Sequence, residues 1–221
     1  MSTWSTKAKN TSIQEREIAP PGTHMALCVG LIDLGTHTQV FNGKRKDLHK
    51  ILLCWELPQE MDSSGEPFVV QRDFSWSLHK KSRLRPFVES WLGRNFAEDE
   101  EYELIDLLRR PCVLSVTNGK SAKGFPFDEV TSVGPLMKGM ECPGPFHKPF
   151  AWAISMVSSA SSEPPVPNWV PPLYGRNVVD DIKSSKEWES LSEHVKHHAN
   201  WPAAPASTHL IPAVGDEKPP F

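Results

Sequence analysis

The sequence has no excess of positive charge. Its 221 residues include 24 lysines and arginines against 27 aspartates and glutamates, a formal net charge of −3. This excludes the histone-like class of nucleic-acid binder, whose affinity rests on a globally cationic surface, and confines any such contact to a local patch. Cysteine is also scarce. Cys28, Cys54, Cys112 and Cys142 lie far apart, with no CxxC pair and no His-Cys spacing of a zinc site. Three of them fall inside apolar runs, where a thiol behaves as a small hydrophobe, so reduced, buried cysteines in a cytoplasmic compartment are expected. No apolar run approaches the ~20 residues of a membrane helix, and no N-terminal stretch reads as a signal peptide, so no membrane partner is expected. Nucleophile contexts such as GxSxG are missing too.

Proline, in contrast, is plentiful. The chain has 21 prolines and only 38% hydrophobic residues, and a typical proline share is roughly 5%. One compact domain with extended flanks follows from that balance. Residues 1–19 read as a flexible polar arm, 20–140 as the domain, and 141–221 as a Pro-rich, mildly acidic tail with a short helix near 177–198.

Within the domain, "THMALCVGLIDLGT" reads as a strand bulged at Gly30. Asn42-Gly43 marks a turn, and "DLHKILLCWELP" is a second strand with His49, Ile51, Leu53, Trp55 and Leu57 on one parity. The third strand, "PFVVQRDFSWSL", puts Phe68, Val70, Arg72, Phe74 and Trp76 on one side. The period then becomes helical in "RLRPFVESWLGRNF", with a second short helix expected in "AEDEEYELIDLL". Two more strands follow, "PCVLSVTN" and "FPFDEVTSVGPL", around the tip "GKSAKG". The order is mainly β, β-β-β-α-β-β, the topology of the five-stranded OB-fold barrel with a helical insertion. Other small barrels share much of it.

The blocks "GTHMALCVGLIDLGT", "LCWELP", "FSWSLHKKSRLRPFVESWLGRNF" and "RRPCVLSV…SVGPLMKGM", over residues 20 to 140, resemble phage-encoded OB-fold single-stranded DNA-binding proteins of the replication module. The resemblance implies a role in phage DNA replication or recombination, in the host cell cytoplasm. It supplies no catalytic motif and no residue-level site.

Single-strand binding needs a basic groove along the phosphates and aromatic faces for the bases. Lys44, Arg45 and Lys46 at the first hairpin, and Lys120 and Lys123 at the last, fall on the two loops an OB-fold aims at its ligand. They read as phosphate contacts, or as the solvated tips of hairpins. Phe41, Phe125 and Phe127 are the neighbouring stacking candidates. Lys50 lies on the second strand and Arg72, Phe74 and Trp76 on the third; this set reads as a binding surface or, for its rings, as core. Trp55 reads as core. Lys80, Lys81, Arg83 and Arg85 form either a groove edge or the polar face of a helix.

No enzyme, cofactor or metal is expected. The acids Glu98 to Glu103 spread around a helix start, and the histidines of "EHVKHH" lack a third ligand. The segment "GDEKPPF" adds a partner-binding candidate: Asp216, Glu217, Pro220 and Phe221 resemble the acidic tails by which single-strand binders hold other replication or recombination proteins, and otherwise read as an arbitrary end of the tail. The alternative function is a protein-interaction adaptor on the same barrel without DNA binding. It is favoured by the near balance of 16 basic and 17 acidic residues between Pro20 and Phe150.

Overall fold

The computed structural model describes residues 17–121, 124, 126–156 and 163–197. Two long strands, β1 (Gly22–Phe41) and β2 (Lys44–Met61), form its axis. They join through Asn42 and Gly43, both at positive φ (49° and 74°), a two-residue turn whose twist matches that of the strands it connects. The remaining elements are β3 (Pro67–Ser75), α1 (Leu84–Leu92), a 3-10 turn at Leu104–Leu107, β4 (Pro111–Lys120), β5 (Pro126–Gly134), β6 (Phe150–Trp152), and helices α2 (Val178–Lys183) and α3 (Lys186–His197).

The strands form one open sheet in the order β3-β2-β1-β4-β5, all antiparallel, with the short β6 added parallel to β1 at Gly30, Leu31 and Ile32. The β-β-β-α-β-β order expected from the sequence is present, and the bulge beside Gly30 appears as a register shift between Cys28 and Gly30. No ladder joins β3 to β5. Arg72 spans that seam instead, its Nη1 donating to the carbonyl of Val130 at 2.7 Å. The second expected helix is reduced to the 3-10 turn. Leu104 and Leu107 are buried three residues apart, whereas the acids before them have no apolar face to pack.

Both faces of the sheet are covered. On the first, Ile51, Leu53, Trp55, Leu57, Val70 and Phe74 pack against α1 through Phe87, Val88 and Trp91, with Leu114 and Val130 closing the cluster. On the second, Val29, Ile32, Leu52, Cys54 and Val69 pack against Trp152, Ile154, Leu173, Val178, Ile182 and Trp188. Residues expected to form a detached tail thus supply half of a second core. Gly35 permits this layer to approach. It sits at φ +75°, and a Cβ there would lie 2.4 Å from the Ser185 Cβ. Ser185 in turn accepts from the Trp188 N–H, capping α3.

Two buried carboxylates fasten the C-terminal layer. Glu56, fully buried on β2, accepts from the backbone N–H groups of Phe146 (2.9 Å) and His147 (2.8 Å) and from the His147 ring (2.8 Å). Asp33 accepts from Ile154 N at 3.1 Å and Gly35 N at 2.8 Å. Their donors replace the water each carboxylate lost on burial. Cys28, Cys54 and Cys112 are buried free thiols; burial pushes Cys28 up to about 12 and the other two well above the ordinary range.

Candidate nucleic-acid interface

Past Gly35, β1 and β2 continue as a two-stranded arm paired from Thr36↔His49 to Phe41↔Lys44, roughly 17 Å long at ~3.4 Å per residue. Residues 38–40 and 44–47 of the arm are exposed. The sequence reads this stretch as a strand end plus a long basic tip, because alternating polar residues carry no apolar period. The ladder nonetheless runs to a two-residue turn. Lys44, Arg45 and Lys46 are therefore held on a ribbon.

Where the arm leaves the body, a groove of about 910 Å³ runs between it, β3 and the loop leading into α1. Its walls include Lys46, Lys50, Arg72, Phe74, Trp76, Lys81 and Arg83. Residues far apart in sequence meet here because β2 and β3 pair in register, with Lys50 opposite Ser75 and Ile51 opposite Phe74. A smaller hollow of about 290 Å³ between α1 and β5 shares Arg72 and Arg83 with it.

The side chains in the groove fall into two sets. In the first, charge is already spent within the protein. Lys50 Nζ lies 2.8 Å from Asp73, both largely buried, and Asp73 also accepts from the Tyr174 hydroxyl at 3.3 Å. Burial, with Asp73 beside it, pushes the Tyr174 phenol up to about 12, so it stays a donor. Arg72 gives its Nη1 to Val130 and lies over the rings of Phe74 and Phe87 at 5.0 and 5.5 Å. Phe74 is only 4% exposed, with Phe87 at 4.8 Å, and offers no open face for a base.

The second set is open. Trp76 is 42% exposed, its ring edge-on to that of His49 at 5.1 Å, and its backbone N–H donates to the His49 carbonyl at 2.8 Å. Lys46, Lys81 and Arg83 line the groove and make no ion pair among the described residues. Of their neighbours in "HKKSRLR", Lys80 pairs with Glu98 at 2.6 Å. Arg85 is buried, bonded to Glu89 and to the carbonyls of Phe96 and Ala97, and holds the loop after α1.

The structure therefore brings Lys46, Lys50, Arg72, Phe74 and Trp76 to one groove. Lys44 and Arg45 sit at the end of the arm and Lys120 at the end of β4, exposed and away from the groove walls. Lys123, Phe125, Asp216, Glu217, Pro220 and Phe221, and the side chain of Phe41, lie outside the described residues. Sequence reasoning treated Lys81 and Arg83 only as an ambiguous cluster, and passed over His49, Asp73 and Tyr174. Lys50 meets Asp73 diagonally across the β2–β3 ladder, in which Lys50 pairs with Ser75 and Leu52 with Asp73, a register that the sequence alone does not reveal.

Beyond Trp76 and His49 the groove opens into a second cavity of about 520 Å³, walled by Asp33, Ile154, Glu187 and Leu191. His49 Nε2 donates to Asp33 at 2.7 Å. Glu187 accepts from the Thr36 N–H at 2.7 Å and its hydroxyl at 2.5 Å. Burial alone would push the Glu187 carboxyl up, but these bonds and the nearby His49 hold it below the ordinary glutamate range.

Among the described residues no three His, Cys, Asp or Glu side chains are grouped to hold a metal ion, and no helix is long and apolar enough to cross a membrane. Compared with known protein families and with curated proteins, the chain matches none.

Proposed function

We propose that this chain binds single-stranded DNA with little sequence preference, along the groove between the β1–β2 arm, β3 and the start of α1. One observation carries the reading: an exposed indole, Trp76, stands among cations that no carboxylate pairs with among the described residues, Lys46, Lys81 and Arg83. A strand needs both kinds of group, a π-face for a base and fixed charge for phosphates. In this reading the open sheet is an OB-type barrel whose β3–β5 seam is spanned by Arg72. The arm with Lys44 and Arg45, together with Lys120, extends the phosphate path. The protein covers a strand and does no chemistry on it, as in the phage replication and recombination proteins its blocks resemble. Recruitment of partners through Asp216, Glu217, Pro220 and Phe221 belongs to the same reading.

The competing reading is the adaptor without DNA binding, favoured by the internal pairing of Lys50 and Arg72. Titration of a labelled oligo-dT against the duplex of the same length separates the two. Tight binding of the single strand, weakened at least several-fold by Trp76→Ala, is expected. No binding of either form at low salt would establish the adaptor. Shortening of the oligonucleotide on addition of magnesium or manganese would mark a nuclease.

A further inference from the structure

Beyond Gly35 and Lys50 the arm has left its neighbours in the sheet behind. β3 ends at Ser75, opposite Lys50, and β4 pairs with Gly22 to Leu27, so from Thr36↔His49 outward the described residues form two strands and no third. A two-stranded hairpin by itself is marginally stable in water. Its tip also carries three successive cations, Lys44, Arg45 and Lys46, which repel one another. The first turn of α3 supplies the missing support. Ser185 packs where a side chain at Gly35 would lie, Glu187 accepts from the N–H and the hydroxyl of Thr36, and Lys186 Nζ lies 2.6 Å from Asp47. Asp47 accepts in turn from the Thr38 hydroxyl across the ribbon at 2.7 Å. Glu187 accepts from its own N–H as well and lies 3.9 Å from the His49 ring, so its carboxylate is wholly engaged within the protein.

We infer that α3 is the brace of the arm, and that Lys186 and Glu187 are positioning residues for strand binding, a claim that rests on the groove reading above. The register shows what the brace leaves free. Alternate residues of a strand face opposite ways. α3 touches Thr36, Asp47 and His49, which share one parity of the paired ribbon; Lys44, Lys46 and Leu48 are of the other, and Gln39, Lys46 and Leu48 line the groove. Asp47 is the arm's one acid and reaches the groove wall beside Lys46. Lys186 offsets a charge that would repel a phosphate there. Holding the ribbon also serves affinity directly, because an arm fixed before the strand arrives loses less conformational freedom on binding it.

The test uses the full chain, with amide hydrogen exchange and oligo-dT titration run on the same samples. In Glu187→Ala the amides of residues 38–47 should exchange roughly fivefold faster than in the wild type while those of residues 51–57 keep their rate, the mark of local rather than global opening. Binding is read as a double-mutant cycle with the tip variant Lys44→Gln, Arg45→Gln. The tip substitutions should weaken oligo-dT binding several-fold in the wild type but by less than about twofold in Glu187→Ala, because an unheld tip has already lost its contact. Should Glu187→Ala loosen the whole C-terminal layer, Thr36→Val repeats the test from the arm's side, removing one donor with the shape kept, and should speed arm exchange in the same direction. Unchanged arm exchange in both variants, or a tip effect that is the same with and without Glu187, overturns the brace and leaves strand binding standing. A wild type that binds no strand overturns the binding reading, and the positioning role with it.

Discussion

Phe74 and Trp76 stand two residues apart on one strand parity and should respond to alanine in opposite ways. Phe74→Ala removes a ring packed on Phe87 and under Arg72, and is expected to cost about 3–5 kcal/mol of stability with a matching drop in Tm. Trp76→Ala removes an exposed ring, so Tm should hold while oligonucleotide affinity falls by roughly 1–3 kcal/mol. Thermal melting and binding run on both variants check the pair; loss of fold in Trp76→Ala would assign that ring to the core. Alternation told the sequence reader that Arg72, Phe74 and Trp76 face one way. It could not tell that β3 ends at Ser75, so that the first two lie over a closed cluster and the third lies past its edge. Glu187 gives a prediction in pH. Its folded-state carboxyl lies below the unfolded value near 4.5, so its contribution to stability is complete above that pH and is lost as pH falls through the lower folded value. The gap in Tm between wild type and Glu187→Gln should be widest near pH 6 and close toward pH 3; a gap that widens on acidification would contradict the assignment.

Among the elements, the strands and α1 were legible because their apolar periods are long. The second layer was not. Leu173 follows two prolines, Val178 and Ile182 sit on a helix of six residues, and Trp188 sits on α3, where the helix expected near 177–198 is mostly polar. A signal did exist on the other side of the contact. In "ILLCW" on β2 and "FVV" on β3 both parities are apolar, and a strand buried on both faces reads as a continuous run where a one-sided strand alternates. Gly35 is the residue on which this layer depends. Gly35→Ala would strain a backbone at φ +75° and drive a methyl into Ser185 and Ile154. It is expected to lower Tm by several degrees and to make residues 163–197 sensitive to limited proteolysis while β1 to β5 stay protected. Equal protection of the two regions would mean that the layer docks without that close approach.

At the scale of the whole molecule, net charge told less than charge placement. Acids and bases nearly cancel over the domain, yet several cancel as specific pairs, Lys50 with Asp73, Lys80 with Glu98 and Lys186 with Asp47, whereas Lys46, Lys81 and Arg83, which make no ion pair among the described residues, line one groove. Pairing across strands is invisible until the register is known, which is why Lys50 and Lys46 looked alike in the sequence and differ in the fold. The most direct test is the salt dependence of oligo-dT binding by the wild type and by a triple variant, Lys46→Gln, Lys81→Gln and Arg83→Gln. Affinity should fall linearly on a log–log plot against salt, because neutralised phosphates release counterions. The triple variant should bind more weakly and with a shallower slope, by about two units if all three side chains touch phosphate, at an unchanged Tm. Wild-type affinity that does not depend on salt, or a variant with the wild-type slope, would contradict a phosphate path through this groove.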